Sequence, residues 1–183
     1  MRAVALYVTL VSAVTGVIGR LLSWLSLGIV LVCFTVVVLR YWFNTSFIWL
    51  QDLYVWLSGA MFMGVSAYAL MRDDHVRVDI FYRRASLRSK AWLDLFGVLV
   101  CLLPFCFLIW TYAWPYVVRS WRLTEGSPNA GGLEGFFILK GFILLFVIMT
   151  ALQGLAMAGR SLLVLGGRQN LLPEHLRYKP ENH

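Results

Sequence analysis

Apolar residues fill this chain in long runs, and polar residues collect in the gaps between them. Residues 21–39 form one such run, closed by Arg40, and residues 47–70 form a second. Residues 91–112 and 136–158 form the third and fourth. Each run approaches or exceeds the roughly 20 residues that a helix needs to cross the hydrocarbon of a bilayer. The pattern predicts an all-α integral membrane protein with four transmembrane helices.

The first 20 residues differ. Arg2 is followed by a shorter apolar stretch softened by Thr9, Ser12 and Thr15. With Val11-Ser12-Ala13 it resembles a signal peptide ending in a small-residue cleavage site. Cleavage there would leave four spans that carry the basic connection at 71–90 outward, against its charge. The expectation is therefore an N-terminal interfacial helix over residues 1–20. It precedes a four-span membrane domain over 21–160 and a basic, proline-containing tail over 161–183.

The connection MRDDHVRVDIFYRRASLRSK holds Arg72, Arg77, Arg83, Arg84, Arg88 and Lys90. Short loops rich in Lys and Arg stay on the cytoplasmic side. Placing both termini on that side puts twelve of the 16 Lys and Arg residues there. The remaining four are Arg40, Arg119, Arg122 and Lys140. Val76, Val78 and Ile80 alternate with polar His75, Arg77 and Asp79, which predicts a basic amphipathic connection with one apolar side. Ser86 is placed to cap the helix that follows. Tyr41, Trp42 and Phe43, and later Trp110, Tyr112, Trp114 and Tyr116, fall where aromatic belts meet the membrane surface. The longest outer loop is expected over residues 115–135.

Composition agrees. The chain is 60% hydrophobic and 14% charged, with a mean hydropathy of +0.75, too apolar for a soluble domain of 183 residues. The net charge of +7 lies at the ends of the apolar runs, which points to a membrane and not to nucleic acid. Cys33, Cys101 and Cys106 lie inside apolar runs with no metal or disulfide spacing. The histidines lie outside the spans, against a haem anchor.

Few residues carry chemistry. Asp52 falls at the edge of the second span and demands a partner. Arg40, the nearest cation across the short hairpin, is the expected one, unless each of the two pairs with another subunit; a proton- or ion-coupling carboxylate is the other reading of Asp52. Ala60, Gly64 and Ala67 share one helix face, fit either for close helix packing or as lipid-facing filler. Pro104 should bend the third span. Lys140 is placed to snorkel, and Gln153 lies deeper in the same span. A metal site from Asp74, His75 and Asp79 is weakly supported, and Arg77 and Asp79 suit a docking surface better. No phosphate-binding glycine loop, nucleophile set or carboxylate pair occurs, so neither an enzyme nor a cofactor is indicated.

Several stretches in series resemble a known family. RYWFN from Arg40, then Trp49-Leu-Gln-Asp-Leu53, is similar to the first hairpin of the DctQ-like small membrane subunit of TRAP (tripartite ATP-independent periplasmic) transporters. His75-Val-Arg-Val-Asp79, Tyr82-Arg-Arg-Ala-Ser86, the segment Glu125–Leu133, Lys140 and Leu152-Gln-Gly-Leu-Ala156 extend the resemblance over residues 21–165. Asp52 departs from it, since many members carry Glu there. The resemblance implies a four-span subunit of the bacterial inner membrane that braces a large membrane subunit. That large subunit would drive uptake of an organic acid with sodium, the acid being delivered by a periplasmic solute-binding protein. Arg40, Trp49, Asp52, Ala60, Gly64, Ala67, His75, Arg77, Asp79, Lys140 and Gln153 are then structural or subunit-interface candidates. A membrane anchor for another complex and a self-sufficient four-span transporter are the alternatives.

Overall fold

A computed structural model describes residues 1–72 and 86–178. Its helices are α1 (Arg2–Ser23), α2 (Leu25–Trp42), α3 (Ile48–Met71), α4 (Leu87–Phe96), α5 (Leu103–Arg122) and α6 (Phe136–Leu165). A π-helical stretch, Gly97–Leu102, joins α4 to α5, and two 3-10 turns, Gln169–Leu171 and Glu174–Leu176, follow α6. Among the described residues, four helical stretches are long and apolar enough to cross a membrane: Arg2–Trp42, Ile48–Met71, Leu87–Arg122 and Phe136–Leu165. The all-helical, four-span architecture expected from the apolar runs is the one observed.

Local chemistry explains the joints. At the α1–α2 junction, the Ser23 hydroxyl donates to the Gly19 carbonyl and the Ser26 hydroxyl donates to the Ser23 carbonyl. Trp24 and Leu27 there make bonds to residues three back, and such serine back-bonding bends helices. Ser86 caps α4 as its sequence position predicts, its hydroxyl accepting from the Ser89 N–H at 3.2 Å. Pro104 cannot donate to the carbonyl four residues earlier. The six residues before α5 are wound wider, and the Leu103 N–H reaches the Val98 carbonyl, five residues back. The proline is thereby absorbed within a helical stretch 36 residues long. Pro115, expected to begin a loop, lies inside α5. Neighbouring helices in a membrane tolerate that missing donor, so the loop shortens to residues 123–135.

The chain divides into two compact units. The first comprises residues 1–17, 67–108 and 148–183, and the second residues 18–66 and 109–147. In the first, α1 turns Ala5, Val8, Ser12 and Thr15 inward, all below 7% exposed, while Leu6, Leu10, Val14 and Val17 point away. Small residues inside and large apolar ones outside suit a helix whose outer face meets lipid. A Cβ added at Gly159 of α6 would press on Val4 and Val8 of α1. The tail packs onto this core through Leu172 and Leu176, and Tyr178 joins Ala91 and Val164.

In the second unit, α2 buries no residue at all, as an 18-residue helix (about 27 Å long) surrounded by hydrocarbon would. Gly64 of α3 lies against Leu22: a Cβ at Gly64 would overlap the end of that side chain. Ala60 is 7% exposed, and Ala67, further along α3 and in the first unit, 1%. Gly64 thus makes a close contact within the chain itself, through Leu22. Closeness of approach was legible from small residues, whereas the identity of the approaching helix was not. Gly64→Leu should destabilise the isolated chain, since overpacking costs about 1–3 kcal/mol. A lower thermal midpoint in detergent, with no partner added, is the expected result. An unchanged midpoint would return this face to an intermolecular role.

Candidate functional site

The second unit concentrates its polar chemistry on the 123–135 loop. Asp52, in the first turns of α3, is 7% exposed. Its Oδ1 accepts from Asn129 Nδ2 at 2.8 Å and its Oδ2 from the Leu133 N–H at 3.1 Å. The Ser127 hydroxyl also bonds to this carboxylate. Gly132 is required at its position because a Cβ there would collide with Asp52 Oδ2 and Ser127 Oγ. The loop also needs a left-handed residue just before α6, supplied by Gly135 at φ 96°.

Lys140, in α6, grips the other part of the same loop. Its Nζ lies 2.6 Å from Glu125 Oε2 and is 7% exposed at the side chain. The Ser120 hydroxyl donates to the same Glu125 oxygen at 2.7 Å. Lys140 Nζ also lies 4.2 Å from the Tyr116 ring centroid and 5.0 Å from that of Phe136, a cation–π environment. The Lys140 hydrogen bond, then the Ser120 hydrogen bond, hold the Glu125 carboxyl below the ordinary glutamate range. Two helices thus tie down one loop through opposite charges, Asp52 from α3 and Lys140 from α6.

This corrects the expected Arg40–Asp52 pair. Arg40 is exposed and makes no ion pair among the described residues, because loop amides and hydroxyls satisfy the Asp52 oxygens. Trp49 is 43% exposed, its ring 6.3 Å from that of Phe47. Ala60, Gly64 and Ala67 are buried as described above. Gln153, 4% exposed, reaches Ser12 Oγ of α1 at 3.5 Å, and its Oε1 lacks a partner. His75, Arg77 and Asp79 lie outside the described residues. Beside Asp52 is a cleft of about 550 Å³ lined by Gln51, Tyr54, Val55, Pro128, Asn129 and Ala130 among others.

The first unit holds a polar cluster that the sequence did not suggest. The Tyr178 hydroxyl donates to Asp94 Oδ2 at 2.5 Å and lies 3.1 Å from Ser161 Oγ. Arg160 Nη2 is 3.6 Å from the same Asp94 oxygen, and its guanidinium lies 4.4 Å from the Tyr178 ring centroid. Burial first raises the Tyr178 phenol above its ordinary value. The cluster is a neutral-phenol plug on a buried ion pair, and it pins the tail. Asp94, Arg160 and Tyr178 are unremarkable in the sequence, since nothing in their spacing shows that they meet.

Because Glu125 is held below its ordinary value, its contribution is present above the unfolded glutamate range and is lost as pH falls through the folded value. Hydrogen exchange in residues 123–135 should therefore accelerate on acidification in the wild type. Glu125→Gln should raise exchange at neutral pH and flatten that Glu125-linked acid dependence. Asp52→Asn, which points an amide at existing donors, should raise exchange at every pH by about 1–3 kcal/mol of opening free energy. A loop equally protected in all three proteins would contradict the clamp.

A family model described as the DctQ component of tripartite ATP-independent periplasmic transporters matches residues 29–164. A C4-dicarboxylate TRAP transporter small permease protein DctQ from Vibrio cholerae serotype O1 is 28% identical over 109 residues, which are 57% of this chain and 47% of that protein. The chain thus spans about half the length of that curated relative. No solved structure is significantly similar to it. With a family match over most of the chain and four helices fit to span a membrane, this chain belongs to the DctQ component family of TRAP transporters.

Proposed function

We propose that this chain is the small membrane subunit that braces the large subunit of a tripartite transporter. On this reading the transporter takes up an organic acid under a sodium gradient, the acid being delivered by a periplasmic binding protein. The chain is a transport component and not an enzyme. The family match over residues 29–164 carries the reading. The Vibrio relative is named for C4-dicarboxylates, which makes a small organic acid the natural class of cargo.

The site geometry supports a bracing role. A carrier must offer free polar groups inside the membrane to replace the hydration of an anion and of its coupling ion. Asp52 and Lys140 are instead bonded to the loop that they hold. A carboxylate that accepts hydrogen bonds from Asn129, Leu133 and Ser127 is poorly placed to capture and release sodium. What remains on offer is a large apolar surface and a fixed loop.

The proposed location is the bacterial inner membrane. Both termini and the basic 72–90 connection would be cytoplasmic, with residues 43–47 and the 123–135 loop periplasmic, following the bias of twelve Lys and Arg against four. Reporter fusions after Arg84 and after Asn129 should report opposite compartments, the first cytoplasmic. The same compartment for both would reject this topology.

Proteoliposomes that contain only this chain should show no substrate flux. Adding the large membrane subunit and the binding protein should give uptake under an inward sodium gradient, and omitting this chain should abolish it. Sodium-driven flux by this chain alone would replace the bracing role with that of a self-sufficient transporter. Assembly with a different membrane partner, without uptake, would make it the anchor of another complex.

A further inference from the structure

Trp114, Val117, Val118, Trp121 and Arg122 of α5 recur at spacings of three and four and so share one helix face. With Leu144 of α6 they line an open cleft of about 390 Å³. Its floor is firm, since Val117 is 2% exposed. Its two indole walls are each held from behind. Trp114 stacks on Trp110 with centroids 5.1 Å apart. Trp121 meets Phe137 edge to face at 5.0 Å and lies over Gly141, where an added Cβ would touch the indole at 3.5 Å. Pre-formed apolar clefts of this size take small molecules or single chains.

The polar side chains that line the cleft are donors. The Trp114 indole N–H and the Arg122 guanidinium have no hydrogen-bond or ion-pair partner among the described residues, and both side chains are exposed, whereas the N–H edge of Trp121 packs on Gly141. Arg119, on the same last turn of α5, already faces the Glu125 carboxylate, which leaves Arg122 as the cation of the cleft. A transmembrane helix of another protein has its backbone carbonyls already bonded internally, so it offers such donors little. A glycerophospholipid offers an apolar chain followed at once by ester carbonyls and a phosphodiester anion, which are acceptors only. Arginine binds phosphate oxygens through two parallel N–H bonds.

We propose that this cleft is a binding site for one glycerophospholipid, with an acyl chain between Trp114 and Trp121 and the phosphate on Arg122. The inference depends on the chain being in a membrane and not on which cargo the transporter carries. It also gives an anion to a guanidinium that has no ion-pair partner among the described residues.

Brominated acyl chains quench indole fluorescence on contact, which supplies the test. The full chain is reconstituted in phosphatidylcholine vesicles with rising fractions of either dibrominated phosphatidylglycerol or dibrominated diacylglycerol, which lacks phosphate. The groove signal is the difference between the wild type and the Trp114→Phe, Trp121→Phe double variant. The phosphate-bearing lipid should quench that signal at about fivefold lower fraction than the diacylglycerol. Arg122→Gln should abolish the preference, while Arg40→Gln, which does not line the cleft, should keep it. Equal quenching by the two lipids in the wild type, or an unchanged preference in Arg122→Gln, would overturn the site. So would loss of groove quenching by both lipids once the large membrane subunit is added, which would assign the face to a protein.

Discussion

Inside hydrocarbon there is no water to complete a hydrogen bond, so every charge carried into a span must be answered by protein. In the second unit that constraint falls on Asp52 and Lys140. One loop answers both: Asn129, Leu133 and Ser127 bond to the carboxylate, and Glu125 pairs with the ammonium. The dependence runs in both directions. The loop has few apolar residues of its own to bury and is held by charges in the helices, while those charges are tolerable near the bilayer because the loop is there. Gly132 shows how tight this fit is, since even a methyl group would strike the Asp52 oxygen.

The number and kind of helices were legible because bilayer thickness sets a length that four apolar runs satisfy. The need of Asp52 for a partner was legible from the cost of burying a charge. The partner was not. Arg40 is near in sequence, but Asn129, 77 residues away, is the residue that arrives. Sequence distance says little about which polar groups a bundle gathers at one end of a helix pair. Charge alone could not decide either, because neutral amides and a hydroxyl can fill the acceptor sites of a carboxylate without a guanidinium.

The same gap appears wherever two helices meet. Ala60, Gly64 and Ala67 announced a close approach, yet Leu22 of the chain itself closes on Gly64. Asp94, Arg160 and Tyr178 lie in unrelated stretches and gave no common signal, although the structure joins them within hydrogen-bond and ring-contact distance. Pro115 looked like the start of a loop. In a membrane helix whose neighbours offset one lost donor, it is an interior residue.

Burial in this chain inverts the rule for soluble proteins. Alanine, glycine, serine and threonine occupy many inward positions, whereas Trp24, Phe34, Phe62 and Phe107 are each more than 60% exposed. Lipid tails solvate leucine and phenylalanine as well as a protein core does, so hiding them gains little. Close backbone approach, van der Waals contact and buried polar pairs must hold the helices together instead. That leaves the large apolar side chains free to define the outer surface. It also makes a break in that surface informative: a cleft between two fixed indoles ends in a guanidinium with no ion-pair partner among the described residues. A lipid-facing helix needs no such feature simply to remain in the membrane, which is why the cleft stands apart from the apolar side chains around it.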